Sequence, residues 1–223
     1  MTVVRPREWI EAAFGRFAWR DDPRRKGRIE ILGEWERRNI ISFAPALQLR
    51  DATGRPLTLV YCHRLIAPAL QRVFADLRAR KLDHLINTFD GCFVPRHMNW
   101  DPRRPLSRHS WGVAVDVNAR LFPYGSRRRQ DRRLIDAFSR SGFTWGGDWR
   151  TPDPMHFEIA DLAAPVRSLN ILVDGTPVAD GFLHEGRAMA PVREIAEALG
   201  GVVEARVAEG EIEIKTRYGE ESR

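Results

Sequence analysis

Cysteine is scarce in this sequence: Cys62 and Cys92 are the only two. That excludes a disulfide framework, and the two are not spaced as a zinc-ligating pair. Two reduced thiols in or near a core are expected, with a single bridge between them as the alternative. Long apolar runs are also missing. No segment reaches the roughly 18–20 apolar residues that a membrane-crossing helix needs. The opening stretch, MTVVRPREWIEAAFGRFAWRDD, holds no uninterrupted apolar segment leading to a small-residue cleavage site, so no secretory signal is read there. The expectation is a protein made in the cytoplasm, with no membrane span, that reaches any target outside the membrane by lysis or non-classical export. Internal repeats and low-complexity segments are absent too, which excludes solenoid architectures.

Basic charge, by contrast, is plentiful and unevenly spread. Of a net +6 overall, residues 168–223 hold 6 Lys+Arg against 11 Asp+Glu, leaving 30 against 19 in residues 1–167. A basic front part suits an anionic polymer such as nucleic acid, teichoic acid or carboxylate-bearing peptidoglycan. No nucleic-acid module motif accompanies the charge, so no nucleic-acid partner is expected. Runs such as Arg127-Arg128-Arg129 and Arg132-Arg133 read as solvated surface.

The 223 residues suffice for one full domain and a small one. Residues 1–60 show no clear order of elements. Residues 64–81 read as an amphipathic helix with Leu65, Leu70, Val73 and Leu77 on one side. Leu85 to Phe89 is a strand candidate stopped by Asp90-Gly91, and 111–118 reads as a half-buried strand. A helix over 131–141 turns Leu134, Ile135 and Phe138 inward and ends at Gly142. Met155, Phe157 and Ile159 alternate with His156 and Glu158, which gives another strand. Beyond Ala164-Pro165 the pattern changes to two hairpins flanking a helix from Pro191 to Leu199, with Val192, Ile195, Ala196 and Leu199 on one face. The domains expected are 1–166, with its chemistry in 60–160, and a ββαββ unit over 167–223.

Zinc hydrolases use three protein ligands and one open position, and two neutral imidazoles with a carboxylate are a common set. Ser107-Arg108-His109-Ser110-Trp111-Gly112-Val113-Ala114-Val115-Asp116 offers a histidine before a strand and an aspartate on it. Gly112 lets the chain bend so that both face one point. Downstream, Asp153-Pro154-Met155-His156 offers a third ligand with an acid three residues earlier. The prolines of Thr151-Pro152-Asp153-Pro154 restrict the backbone around that acid. Glu158, on the same strand face as His156, is the alternative acid. His97 is a candidate substrate contact, otherwise surface. His63, His84 and His184 read as structural, Trp145 and Trp149 as packing or cleft wall, and Asp148 as holding its turn.

Taken together, Ser107, His109, Gly112, Ala114 and Asp116, then Gly142-Phe143, Trp145-Gly146-Gly147-Asp148-Trp149, Asp153 and His156-Phe157-Glu158 resemble the zinc D-Ala-D-Ala carboxypeptidase and L-Ala-D-Glu endopeptidase family (the VanY and phage-endolysin type). That family shares its fold with hedgehog and its metal-site design with lysostaphin. Gly91-Cys92-Phe93-Val94-Pro95-Arg96 is similar to the family segment that ends in a substrate-facing arginine. The resemblance implies an α+β fold with a mostly antiparallel sheet, flanking helices and one Zn²⁺ per chain. It implies His109, Asp116 and His156 as ligands and Asp153 as catalytic base. It also implies Arg96 as the group that stabilises the tetrahedral intermediate, with Ser107 near substrate. The implied activity is peptidoglycan stem-peptide hydrolysis, leaning to L-Ala-D-Glu endopeptidase, with D-Ala-D-Ala carboxypeptidase as the close alternative. A non-catalytic zinc-stabilised wall-binding module is the reading of another class. The C-terminal unit, with Val173-Asp174-Gly175, Gly186-Arg187 and Pro191-Val192-Arg193-Glu194-Ile195-Ala196-Glu197-Ala198-Leu199-Gly200, resembles the copper-amine-oxidase N-terminal-like domain. With one histidine and no cysteine, it is not expected to bind copper.

Overall fold

Short helical and extended segments alternate through the first part of the chain, and the computed structural model assembles them around one antiparallel sheet. Residues 4–162 are described throughout, followed by 168–173, 176–184, 187–189, 192–200, 202–206 and 211–215. Two compact units form, Met1–Leu162 and Ala163–Arg223.

The N-terminal stretch, which showed no order in the sequence, contains α1 (Arg7–Phe14), β1 (Ala18–Asp21), β2 (Ile29–Leu32), α2 (Trp35–Asn39), β3 (Ile40–Phe43), β4 (Leu49–Arg50), β5 (Pro56–Leu57) and β6 (Val60–His63). β1 and β2 form one hairpin, and β3 pairs with β6. Ile10 and Phe14 of α1 are buried. The indole of buried Trp111 donates to the Gly15 carbonyl at 2.9 Å, and its ring stands 4.9 Å from that of Phe17. The N-terminal layer is thereby tied to the strand that carries the site. A second tie holds the opposite end. Ile29 N–H donates to the Pro95 carbonyl, and Arg28 bridges to Arg96.

Helix α3 spans Ala67–Ala79, shorter than the 64–81 expected. Residues before it close a turn, with Ile66 N–H on the His63 carbonyl, and Pro68 suits the first helical turn because it lacks an amide donor. Leu70, Val73 and Leu77 are buried as the periodicity indicates; Phe74 joins them, and Leu65 falls outside the helix, only partly buried. The strand expected at Leu85–Phe89 is displaced: β7 is Phe89–Gly91. Asp83–Leu85 form a 3-10 turn, and the amides of Asn87 and Thr88 donate to the Asn118 side chain instead of to a strand. β8 is Ala114–Val117, because Trp111 belongs to the preceding 3-10 turn Arg108–Trp111. It is buried on both faces rather than half-buried.

α4 (Arg132–Arg140) starts at an Asp131 carboxylate that accepts from Arg133 N–H at 2.8 Å, and Gly142 follows its end with φ 91. β9 (Phe143–Trp145) and β10 (His156–Ile159) complete a four-stranded sheet of order β7-β8-β10-β9, with every pair antiparallel. Phe138 of α4 stacks on Phe157 of β10 at 4.1 Å. Both rings are fully buried, and truncating either to alanine is expected to cost ~3–5 kcal/mol. The molecule is thus mixed α and β with antiparallel pairing.

In the second unit, β11 (Ser168–Val173), β12 (Thr176–His184) and β13 (Arg187–Met189) form a three-stranded sheet, so the first expected hairpin gains a strand. α5 (Val192–Ala198) and the hairpin of β14 (Val202–Arg206) and β15 (Glu211–Lys215) follow. Leu199, expected on the inner face of that helix, lies past its end and is exposed. Asp174-Gly175, Gly186, Pro191 and Glu209-Gly210 lie outside the described residues. Among the described residues no helix is long and apolar enough to cross a membrane.

Candidate metal centre

Antiparallel register sets His156 of β10 directly opposite Asp116 of β8, which places their side chains on one face of the sheet. His109 reaches the same face from the 3-10 turn ahead of β8. The turn ends at Gly112 in the left-handed region (φ 65), and a Cβ there would stand 2.9 Å from the His63 amide nitrogen. Only glycine allows both the turn and the close approach to β6. The Ser107 hydroxyl caps the turn by accepting from His109 N–H at 3.4 Å.

Outer hydrogen bonds fix which ring nitrogens face inward. His109 Nδ1 lies 2.9 Å from the Cys92 carbonyl, an obligatory acceptor, so Nδ1 carries the proton and Nε2 presents its lone pair. His156 Nε2 lies 3.3 Å from Glu158 Oε2, which likewise leaves Nδ1 facing the centre. Three acceptor atoms then converge. The His109 Nε2–His156 Nδ1 distance is 3.3 Å, Asp116 Oδ2 is 3.1 Å from His109 Nε2, and Asp116 Oδ1 is 2.9 Å from His156 Nδ1. The edge of a tetrahedral shell with zinc–nitrogen bonds of 2.0–2.1 Å is ~3.3 Å. All three residues are buried, at 1%, 5% and 9% exposure for His109, His156 and Asp116. Such a donor set, dry and with both tautomers fixed from outside, fits a divalent metal.

The electrostatics point the same way. Burial pushes the Asp116 carboxyl upward, but His109 and His156 more than offset this and hold it well below the usual carboxylate range. Burial also works against a charged His156, yet its bonds to Asp116 and Glu158 raise the imidazole to about 10. These groups call for a positive charge at their centre, and a proton on His156 supplies it when no metal does.

Two further groups face this centre. The Arg96 guanidinium stands 3.7 Å from Asp116 Oδ2 and 5.2 Å from the Trp100 ring. Its backbone is pinned on both sides by Ser110, whose hydroxyl accepts from Arg96 N–H at 3.0 Å and donates to the Arg96 carbonyl at 2.8 Å. Burial lowers the Arg96 pKa, while Asp116 and Asp153 act to raise it. Asp153 Oδ1 is buried with no hydrogen-bond partner among the described residues. Burial raises the Asp153 carboxyl, while the positive charges of His156, His109 and Arg96 act to lower it and Asp116 acts to raise it.

The Trp-Gly-Gly-Asp-Trp segment is the cradle for Asp153. Asp153 N–H donates to the Gly146 carbonyl at 2.9 Å, and a Cβ at Gly146 would stand 2.6 Å from the Asp153 carbonyl oxygen. Trp145 Nε1 donates to the Pro154 carbonyl at 2.8 Å, and the Trp149 ring lies 5.3 Å from that of His156.

Several expected roles change. Glu158 sits on the far edge of the His156 ring from Asp116, 3.8 Å from Arg108, so it orients that ring and is not placed as the base. His97 is neither surface nor facing the centre. It is buried, with Nε2 2.9 Å from Asp21 and Nδ1 2.6 Å from the Arg104 carbonyl. Ser107 is brought to the site as a cap. Asp148 pairs with Arg129 at 2.9 Å, away from the ligands. Both cysteines are free and buried. The supporting contacts of the Cys92 carbonyl and Arg108 carry no signal in the sequence, although Arg108 stands inside the Ser-Arg-His motif.

Residues 100–159 match the family model of D-alanyl-D-alanine carboxypeptidase. The matched stretch contains His109, Asp116, Asp153 and His156 and ends before the second unit. This match supports a metallopeptidase. No solved structure matches the chain.

Proposed function

We propose that the chain hydrolyses a peptide bond in peptidoglycan stem peptides, with zinc held by His109, Asp116 and His156. The observation that carries the reading is the buried Asp153 carboxylate oxygen, without a hydrogen-bond partner among the described residues, in a turn whose Asp153 carbonyl accepts from His156 N–H at 3.0 Å. Leaving such an acceptor unsatisfied typically costs ~1–3 kcal/mol. A module that only bound cell wall around a structural metal would have no use for it.

His109, Asp116 and His156 would hold the zinc, which would supply Lewis acidity toward the scissile carbonyl and toward water, whose pKa it would lower to ~7. Asp153, its pKa raised by burial, takes the proton of the attacking water and hands it to the leaving amine. Arg96, pinned through Ser110, is positioned to stabilise the oxyanion of the tetrahedral intermediate. The Glu158 and Cys92 contacts hold His156 Nδ1 and His109 Nε2 aimed inward.

The finer reading is the L-Ala-D-Glu bond, on the strength of Asp153 and the Trp145-Gly146-Gly147-Asp148-Trp149 segment, which resemble the endolysin type. The D-Ala-D-Ala bond is the second reading, favoured by the description of the matching family. Mass spectrometry of muropeptides released from purified sacculi separates them. New D-Glu N-termini mark the endopeptidase, and loss of one terminal D-Ala per stem marks the carboxypeptidase. Asp153→Asn is expected to bind zinc and turn over at least ~100-fold more slowly. A zinc-loaded chain that leaves every stem intact would overturn the proposal.

A further inference from the structure

Beside the metal centre lies a second concavity. A cavity of about 250 Å³ opens along β7, on the edge of the sheet. Its apolar walls include buried Val60 and Phe89, with Leu59 and Tyr61 exposed at the rim. Two carboxylates, Asp51 and Asp90, line it, and no basic side chain does. Both keep an oxygen to spare. The bonds of Asp51, to Thr53 N, Thr53 Oγ1 and Arg55 N, run through Oδ1. Those of Asp90, to Thr88 Oγ1 and Ala119 N, run through Oδ2. The Thr53 hydroxyl bond, with the neighbouring amides, holds the Asp51 carboxyl below its usual value, so it is ionised at neutral pH.

This cavity shares a wall with the centre. Gly91, which lines it, pairs with Asp116 in the sheet, and the carbonyl of Cys92, also in the lining, holds His109. Its volume is below the roughly 300–1,000 Å³ of pockets that enclose a whole ligand, so it suits one side chain of a larger substrate. Apolar walls with carboxylates and no cation select an aliphatic chain ending in an ammonium group.

We infer that the cavity is a specificity subsite for an aliphatic ammonium side chain, the diamino acid of the stem peptide whose backbone crosses the metal centre. The inference rests on the function proposed above but not on the choice of bond. In a stem of the order L-Ala, D-Glu, diamino acid, D-Ala, D-Ala, one residue separates the diamino acid from either scissile bond. β7 is an outer strand of its sheet, which leaves one side of its backbone without a strand partner among the described residues for an extended peptide.

The test uses two synthetic stem pentapeptides that differ only at the third residue, lysine or 2-aminoheptanoic acid, in which a methyl group replaces the ammonium. Binding to the zinc-loaded Asp153→Asn chain is measured by calorimetry and hydrolysis by the unmodified chain by mass spectrometry. The lysine peptide is expected to bind about tenfold more tightly, the low end for a charge-assisted contact in a solvent-open site. Asp51→Asn/Asp90→Asn, in which each amide oxygen can still accept the local bonds, is expected to erase the difference. Equal binding of the two peptides by the chain with both aspartates overturns the subsite, as does a preference that survives the double substitution. Preferential binding without hydrolysis of either peptide by the unmodified chain overturns the proposed function and leaves the subsite standing.

Discussion

Removing the metal should unfold the first unit at a lower temperature, by an amount set by how far the metal concentration exceeds its dissociation constant. In the metal-free chain His109 Nε2, His156 Nδ1 and the Asp116 carboxylate oxygens converge at 2.9–3.3 Å. Zinc held as proposed would bind this arrangement in the native state, and the unfolded chain does not hold it together. A ligand present at a thousand times its dissociation constant stabilises the native state by ~4.1 kcal/mol. For a unit of this size each kcal/mol shifts Tm by ~2–4 °C, so saturating zinc should raise it by ~8–16 °C over the chelated chain. All seven tryptophans lie between Trp9 and Trp149, so tryptophan fluorescence reports on the first unit alone. The assay is a thermal melt followed by that fluorescence, in chelator and then in stepwise zinc, beside Asp116→Asn. Losing the carboxylate ligand should remove most of the zinc response. A shift under ~2 °C in the unmodified chain, or a full-sized shift in Asp116→Asn, would refute the assignment of the centre.

Glu158→Gln should weaken zinc affinity by ~10–100-fold while leaving the fold intact, because it alters only the outer partner of His156; competition with a fluorescent chelator reads this directly. Gly146→Ala forces a Cβ to within 2.6 Å of the Asp153 carbonyl oxygen, so kcat should fall more than zinc affinity does; unaltered kcat would show that the segment tolerates a shift. His63 is buried and its pKa is depressed, mainly by burial, from 6.5 to about 3. The unfolded chain therefore binds a proton that the folded chain refuses between those values. Stability from this group is complete above pH 6.5 and falls by ~1.4 kcal/mol per pH unit as pH drops toward 3. Denaturant melts between pH 7 and 4.5 should show a shallower fall for His63→Asn, and parallel curves would remove His63 as the cause.

Periodicity located the helices over 67–79 and 132–140 because each buries an apolar stripe whose spacing survives in the sequence. It misplaced β7 because the side chain of Asn118, about 30 residues away, takes the amides of Asn87 and Thr88. It read β8 as half-buried because a central strand of only four residues, buried on both faces, can still carry an alternation. Residues 1–60 gave no pattern because their elements are two to eight residues long and are held by tertiary contacts, such as Trp111 on Gly15.

The same logic explains which parts of the site were legible. A metal ligand must be one of a few residue types, and two strands in fixed register can bring ligands together only at certain spacings, so His109, Asp116 and His156 leave a signature. The Cys92 carbonyl that sets the His109 tautomer could come from any residue, and it leaves none. Arg96 lies between these cases. Its guanidinium is visible in the sequence, but its aim comes from Ser110 and from the bridge to Arg28 in a hairpin that the sequence did not reveal. The N-terminal hairpin is therefore part of the proposed site: loosening it should release Arg96 before it disturbs His109, Asp116 and His156, whose supports lie in β7, β8 and β10 and the segments beside them.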